Sequence, residues 1–231
     1  MLSYQVLANY PHSTSAFTQG LLWHNDKLYE STGLWEKSEL RVVDLYSGFA
    51  TQQLSANPEY FGEGLALVED HLIWLTWQAE TATIHRVDTL EQTGSFTYGG
   101  EGWGLCYDEE RLVMSNGSSW LTFRDATTFE ILGGIQVIRA DGSIVESLNE
   151  LECVGDYVWA NVWRTDQIVV INPSTGDVIA EADMSGLIEP HPSRQDGNNV
   201  LNGIAYRPET GTFFITGKRW PTLFEVRFSQ P

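Results

Sequence analysis

The chain has 231 residues, 42% of them hydrophobic, enough for a sizeable core in one large domain or two small ones. Its 31 acidic and 13 basic residues leave a net charge of −18. That balance argues against a nucleic-acid binder, which needs a basic face to displace counterions, and equally against attachment to anionic membranes.

In chain order, "LSYQVLANY" at 2–10 comes first and alternates as a strand should. A short apolar strand opening on x-G-L follows as "FTQGLLW" at 17–23. It recurs as "FGEGLAL" at 61–67, "EGWGLCY" at 101–107, "LNELECV" at 148–154 and "LNGIAYR" at 201–207. Aligning Gly20, Gly64, Gly104, Glu150 and Gly203 gives spacings of 44, 40, 46 and 53. Each copy carries a second strand ("LYEST", "LIWLTW", "LVMSNG", "VWANVW", "FFITGK") and a third ("LRVVDL", "TIHRVD", "WLTFRD", "QIVVINP", "TLFEVRF"). Four of the third strands end on Asp44, Asp88, Asp125 or Asn172, natural openings for a turn. After most of these turns a fourth strand is legible, as in "SGFATQQL" and "TGDVIAEA".

Antiparallel strands in fours, repeating about every 40–45 residues, are the signature of β-propeller blades. The expectation is an all-β, five-bladed β-propeller forming one domain over 1–231. Its blades fall at about 17–60, 61–100, 101–147, 148–200 and 201–231 plus 2–10. The last copy lacks an outer strand, so the N-terminal strand is expected to supply it and close the ring, leaving no open sheet edge.

The first strand of each blade lines the axis. The residue before the aligned position is Gln19, Glu63, Trp103, Asn149 or Asn202, and four of these five are polar. Amides there can seal the ring through backbone hydrogen bonds. A lone acid such as Glu63 calls for a cation or a function. Lys218, at the end of "FFITGK", is the candidate cation, with Trp77 and Trp163 at the corresponding ends of two other blades. Each indole by itself reads as packing. Together with Trp103, Glu63, Lys218 and Asn149 they compose a small-ligand pocket with apolar walls and few convergent polar groups. The glycines flanking Glu63 are expected to let the backbone turn inward around it.

Other signals carry less. Cys106 and Cys153 make no disulfide framework; inert buried thiols are the default, with a bridge between them the alternative. His12, His24, His71, His85 and His191 have no metal-ligand spacing, so no catalytic metal is expected, although carbonyl oxygens of a propeller axis could hold a structural divalent ion. "GGEGWG" at 99–104 reads as a turn rather than a phosphate loop, and "NGS" at 116–118 as a turn rather than a glycosylation acceptor. No charged-then-apolar leader follows Met1 and no apolar span is long enough to cross a bilayer.

The strings "FTQGL", "YESTG", "FGEGL", "GWGL", "LNELE", "VWANVW", "VLNGIA" and "TGKRWPTLFEV", in order from residue 17 to 226, resemble the plant-type and bacterial glutaminyl cyclases. That family is a five-bladed propeller unrelated in fold to the zinc-dependent animal cyclases. The resemblance implies conversion of N-terminal glutaminyl residues of peptides to pyroglutamate with loss of ammonia, without a required cofactor. It implies an active site of Glu63, Asn149 and Lys218, with Gln19, Trp77, Trp103 and Trp163 binding substrate. It further suggests a secreted or periplasmic monomer. The segment "SGLIEPHPSRQDGNN" matches the family least and is expected to shape the pocket rim. The rivals are a non-enzymatic propeller that binds peptides or ligands through the same pocket, and a metal-dependent propeller lactonase. The lactonase would need several ring carboxylates, and Glu63 is the only one among the five axial positions.

Overall fold

The computed structural model describes residues 1–187 and 197–229, and among these there is no α-helix. Strand β1 (Ser3–Pro11) is followed by blade one, β2 (Thr18–His24), β3 (Lys27–Thr32), β4 (Glu39–Val43) and β5 (Ala50–Ser55). Blade two holds β6 (Gly62–Val68), β7 (His71–Thr76), β8 (Thr81–Arg86) and β9 (Gln92–Thr97). Blade three holds β10 (Leu105–Tyr107), β11 (Leu112–Met114), β12 (Trp120–Arg124) and β13 (Ile131–Gln136). Blade four holds β14 (Leu148–Val154), β15 (Tyr157–Val162), β16 (Gln167–Ile171) and β17 (Val178–Asp183). The last blade is β18 (Leu201–Arg207), β19 (Thr212–Gly217), β20 (Thr222–Ser229) and then β1, which pairs antiparallel with β20 from Ser3↔Ser229 to Pro11↔Thr222. The inner strands neighbour one another in the cyclic order β2, β6, β10, β14, β18 and back to β2. The molecule is a five-bladed β-propeller of four-stranded antiparallel sheets, closed by its first strand.

Local chemistry explains the strands. Asn25 and Asp26, both at positive φ (50° and 59°), form the two-residue turn of the β2–β3 hairpin, whose twist matches the strands it joins. Asp44, Asp125 and Asn172 accept hydrogen bonds from backbone N–H groups two or three residues on and so start their turns. Asp88 instead pairs with Arg86 at 3.0 Å. The outer strand β5 alternates between half-buried and exposed residues, while the head of β6 is buried on both faces. Five apolar clusters fill the five seams between neighbouring blades. Each fully buried aliphatic or aromatic side chain there contributes about 1.5–3 kcal/mol.

Gly62 and Gly64, which flank Glu63, serve close approach rather than an inward turn of the backbone, as do the aligned Gly20 and Gly104. A Cβ on Gly64 would lie 2.6 Å from the Leu105 amide nitrogen, and one on Gly104 would lie 2.0 Å from the Asn149 carbonyl oxygen. Inner strands of adjacent blades therefore touch backbone to backbone, with the Gly64 N–H donating to the Trp103 carbonyl at 2.7 Å. Blade four breaks the pattern. Glu150 replaces glycine, and its buried carboxyl accepts from Leu21 N–H of blade one (3.2 Å) and Ile204 N–H of blade five (2.8 Å). Burial and the nearby Glu152 push the Glu150 carboxyl well above the ordinary range, against the pull of those two N–H groups.

Cys106 and Cys153 are bridged, Cα to Cα 5.5 Å, which replaces the expected inert thiols with a covalent tie between inner strands β10 and β14. The bridge encloses a 47-residue separation that contains the rest of blade three. Urea denaturation with and without a reductant should show the reduced protein about 2–4 kcal/mol less stable. Equal midpoints would show that the bridge restrains nothing.

A buried ionic cluster sits where blades five and one meet. Glu30 on β3 accepts from Thr18 Oγ1 (2.7 Å), from His12 Nε2 (3.0 Å) and from the Arg41 guanidinium. His12 Nδ1 meets the Trp220 carbonyl oxygen at 2.7 Å, so both its ring nitrogens are engaged. Burial alone would push the Glu30 carboxyl up. The charges of His12 and Arg41 and the bonds from His12 and Thr18 overcome it and hold the group at about 2.

Candidate active site

The blades converge on one cavity of about 420 Å³ at the axial mouth. Two repeat positions build it. The first is the axial column, whose residues precede the close-packed backbone contacts. The second is the residue immediately after each second strand. In four blades that residue (Gly33, Trp77, Trp163 or Lys218) donates its N–H to the carbonyl two residues before the axial position (Phe17, Phe61, Ser147 or Val200). The shared hydrogen bond sets Trp77, Trp163 and Lys218 at one height around the mouth.

All seven residues singled out in the sequence line this cavity: Gln19, Glu63, Trp77, Trp103, Asn149, Trp163 and Lys218. Five more join them, namely Phe17, Leu34, Phe61, Asn198 and Arg219. Asn202 stands behind the wall. Its Nδ2 donates to the Thr18 carbonyl (2.9 Å) and the Gln19 Oε1 (3.3 Å), so the Gln19 amide turns its own Nε2 to Glu63 Oε1 at 3.0 Å. Asn202 thus seals the ring, whereas Gln19 relays that orientation to the acid.

Glu63 is 5% exposed. Burial raises its carboxyl well above the ordinary range; Lys218 pulls it down and Glu101 pushes it up, and burial prevails. The Lys218 ammonium is lowered to about 8 by burial, against the opposing pull of Glu63. Its Nζ lies 4.8 Å above the Phe17 ring. The two shifts bring the groups toward one another in proton affinity, as burial of both requires. Asn149 is buried, and its Oδ1 has no hydrogen-bond partner among the described residues. An orphaned buried acceptor costs about 1–3 kcal/mol, which a bound N–H would offset.

Trp103 and Trp163 meet edge to face at 5.3 Å, and Phe61 meets Trp77 at 5.6 Å. One carboxylate orients the indoles on both sides. Glu101 Oε2 accepts from Trp77 Nε1 (2.8 Å) and Trp103 Nε1 (3.0 Å), and its Oε1 accepts from Gln78 Nε2 (2.9 Å). Burial works to raise the Glu101 carboxyl, but these bonds outweigh it and hold it below the ordinary range. Glu101, Phe17 and Phe61 escaped the sequence reading although they share a signal. Each lies two residues before the axial position, just ahead of its inner strand. Leu34, Asn198 and Arg219 lie in connections outside the repeat and offered none.

Among the described residues no group of three or more His, Cys, Asp or Glu side chains is arranged to hold a metal ion. His12 serves the ionic cluster, His85 is buried with Nδ1 bonded to the Leu90 carbonyl, and His191 lies outside the described residues. So does most of the segment expected to shape the rim, at 188–196. Asn116 accepts from the Ser118 N–H and hydroxyl, making the "NGS" stretch a turn. Glu63 is the only carboxylate among the five axial positions; Glu150 and Glu152 on β14 lie outside that column and carry theirs to backbone N–H groups of neighbouring blades.

Comparison with known proteins agrees with this architecture. A family model described as glutamine cyclotransferase matches residues 1–228. The chain is 38% identical to a glutaminyl-peptide cyclotransferase of Arabidopsis thaliana, over 98% of this chain and 71% of that protein. The crystal structure of the glutaminyl cyclase of Myxococcus xanthus superposes with a TM-score of 0.90 at 37% identity, covering 99% of this chain and 97% of that one. The chain belongs to the glutamine cyclotransferase family.

Proposed function

We propose that this enzyme is a glutaminyl-peptide cyclotransferase that closes N-terminal glutaminyl residues of peptides to pyroglutamate and releases ammonia, with Glu63 as its proton shuttle. The observation that carries the reading is a buried carboxyl, Glu63, and a buried lysine, Lys218, lining one cavity with Trp77, Trp103 and Trp163.

The chemistry follows from those groups. The neutral α-amine of the substrate attacks the γ-carboxamide carbon, forming the ring C–N bond. The Glu63 carboxylate takes a proton from that nitrogen and returns it to the departing nitrogen, which leaves as ammonia. The Lys218 ammonium and the Asn149 amide donate to the oxyanion that develops between the two transfers, each worth about 2–4 kcal/mol of barrier. Gln19 holds the Glu63 carboxylate in place from Oε1. Trp77, Trp103 and Trp163 fold the short glutaminyl chain toward attack and exclude water. Atoms and charge balance without a covalent intermediate, an oxidant or a reductant.

The test is ammonia release from a Gln-initiated dipeptide amide, with mass spectrometry registering the loss of NH3 and a chelator-treated sample alongside. Release well above the spontaneous rate that survives chelation is the expected result. Release no faster than spontaneous from folded protein would overturn the cyclase reading and leave a ligand-binding propeller.

Glu101 supplies a second expectation. Its replacement by Ala frees both indoles and should raise KM on the order of 10-fold, in line with losing hydrogen bonds to a charged group. Glu101→Gln keeps an amide oxygen for both indoles and should hold KM near the wild-type value. Steady-state kinetics of the two variants check this split, and equal KM values in both would remove the clamp from substrate binding.

A further inference from the structure

Blade one departs from the others at the mouth of the cavity. Where blades two, four and five present Trp77, Trp163 and Lys218, blade one has Gly33. A Cβ on Gly33 would lie 2.3 Å from the Phe61 ring, so Phe61 of blade two fills that part of the wall. The chain then enters a tight connection to β4. Leu34 lines the cavity at φ 95°, and Glu36 sits at φ 64°. Both are left-handed positions that L side chains rarely adopt, and they persist where surrounding bonds over-determine them.

The bonds are present. The Leu34 carbonyl accepts from Lys37 N–H (3.1 Å) and Ser38 Oγ (2.8 Å), Glu36 N–H donates to the Pro58 carbonyl (3.2 Å), and Ser38 Oγ accepts from Gly62 N–H (2.9 Å). The connection is thereby fixed to the head of β6, one residue before Glu63. It presents Trp35, which is 46% exposed although its ring packs 5.7 Å from Phe61 and 6.4 Å from Trp77. Phe61 and Trp77 line the cavity, so one aromatic wall runs from inside the pocket out to the surface.

A glutaminyl residue held by its amine and side chain inside the cavity stays joined to its peptide through the α-carbonyl. That carbonyl must face the mouth, and the second residue is the first group outside. We infer that Trp35, continuous with Phe61 and Trp77, forms the subsite for the second residue's side chain and selects N-terminal glutaminyl peptides with an aromatic or aliphatic residue there. This inference rests on the cyclase reading. The Glu101 carboxylate, bonded to Trp77, keeps negative charge on the same wall and makes an acidic second residue the poorest choice.

The test compares kcat/KM for ammonia release from Gln-Phe, Gln-Leu, Gln-Gly and Gln-Glu dipeptide amides, in the wild type, Trp35→Ala and Trp35→Phe. Ring contact of this kind predicts a preference of about 3- to 10-fold for Gln-Phe over Gln-Gly in the wild type, carried by KM. In Trp35→Ala the ratio should fall to parity, and in Trp35→Phe most of it should return. Parity in the wild type, or an undiminished ratio in Trp35→Ala, would overturn the subsite while leaving the cyclase standing. Ammonia release from none of the peptides by the wild type would overturn both.

Discussion

Glu63→Gln should fold as the wild type does and lose about 10²- to 10⁴-fold in kcat, the usual scale for removing a positioned acid–base group. The substitution is nearly isosteric, and its amide oxygen can still accept from Gln19 Nε2, so the wall stays in place. Only the proposed proton shuttle is gone. Kinetics on a Gln-initiated dipeptide amide, with circular dichroism as the control for folding, decide the matter; near-wild-type turnover would take Glu63 out of the mechanism. The pH profile adds a signed expectation. In the proposed mechanism shuttling begins from the carboxylate, and burial lifts Glu63 well above the ordinary range, so activity should fall on the acid side at a pH well above that of an exposed glutamate. The proposed oxyanion stabilisation uses the Lys218 ammonium, so activity should fall again as pH rises through about 8. Lys218→Met should remove that alkaline limb along with much of the rate.

Glu30→Ala is expected to be the most damaging single change to stability. It leaves Arg41 and His12 buried without their shared acceptor, a loss of about 3–5 kcal/mol for a broken buried ion pair. Urea denaturation near neutral pH measures it, and a change below 1 kcal/mol, to use a rough threshold for exposed pairs, would show the cluster to be screened after all. The dependence on pH has a definite sign. Glu30 is held at about 2 in the fold against an ordinary 4.5, so between those values the unfolded chain binds the proton more readily. The contribution is complete above about 4.5 and drains away as pH falls toward 2. The gap between wild type and Glu30→Gln should accordingly narrow in acid.

The repeat made the fold legible. Five copies of one strand pattern gave the blade number, the closing role of "LSYQVLANY" and the axial column from which Glu63, Trp103 and Asn149 were read. Trp77, Trp163 and Lys218 were legible for the same reason, because they close the same strand in different blades. What depended on partners far along the chain was not. Glu101 looks like any turn acid until the indoles of Trp77 and Trp103 are seen to share its oxygen. Glu150 looks like a lapse from glycine until its carboxyl is seen to reach two other blades. The Cys106–Cys153 bridge required knowing that β10 and β14 are neighbours, and apolar flanks pointed instead to isolated thiols.

The Glu30 cluster does more than hold charges underground. Through Thr18 it grips the residue next to Gln19, and through His12 it grips the Trp220 carbonyl, two residues beyond Lys218. The Lys218 turn is fastened to the N-terminal segment as well, by Arg219 N–H on the Ala16 carbonyl at 2.6 Å. Two walls of the cavity therefore come into register only when the first and last strands, at opposite ends of the sequence, have met. Closing so long a stretch of chain costs entropy before the seam's contacts can reward it, which makes this pairing a slow step. Catalysis is thus a clock for the final fastening of the ring: in a refolding experiment, backbone circular dichroism should recover first and ammonia release last, with the interval between them timing the seam.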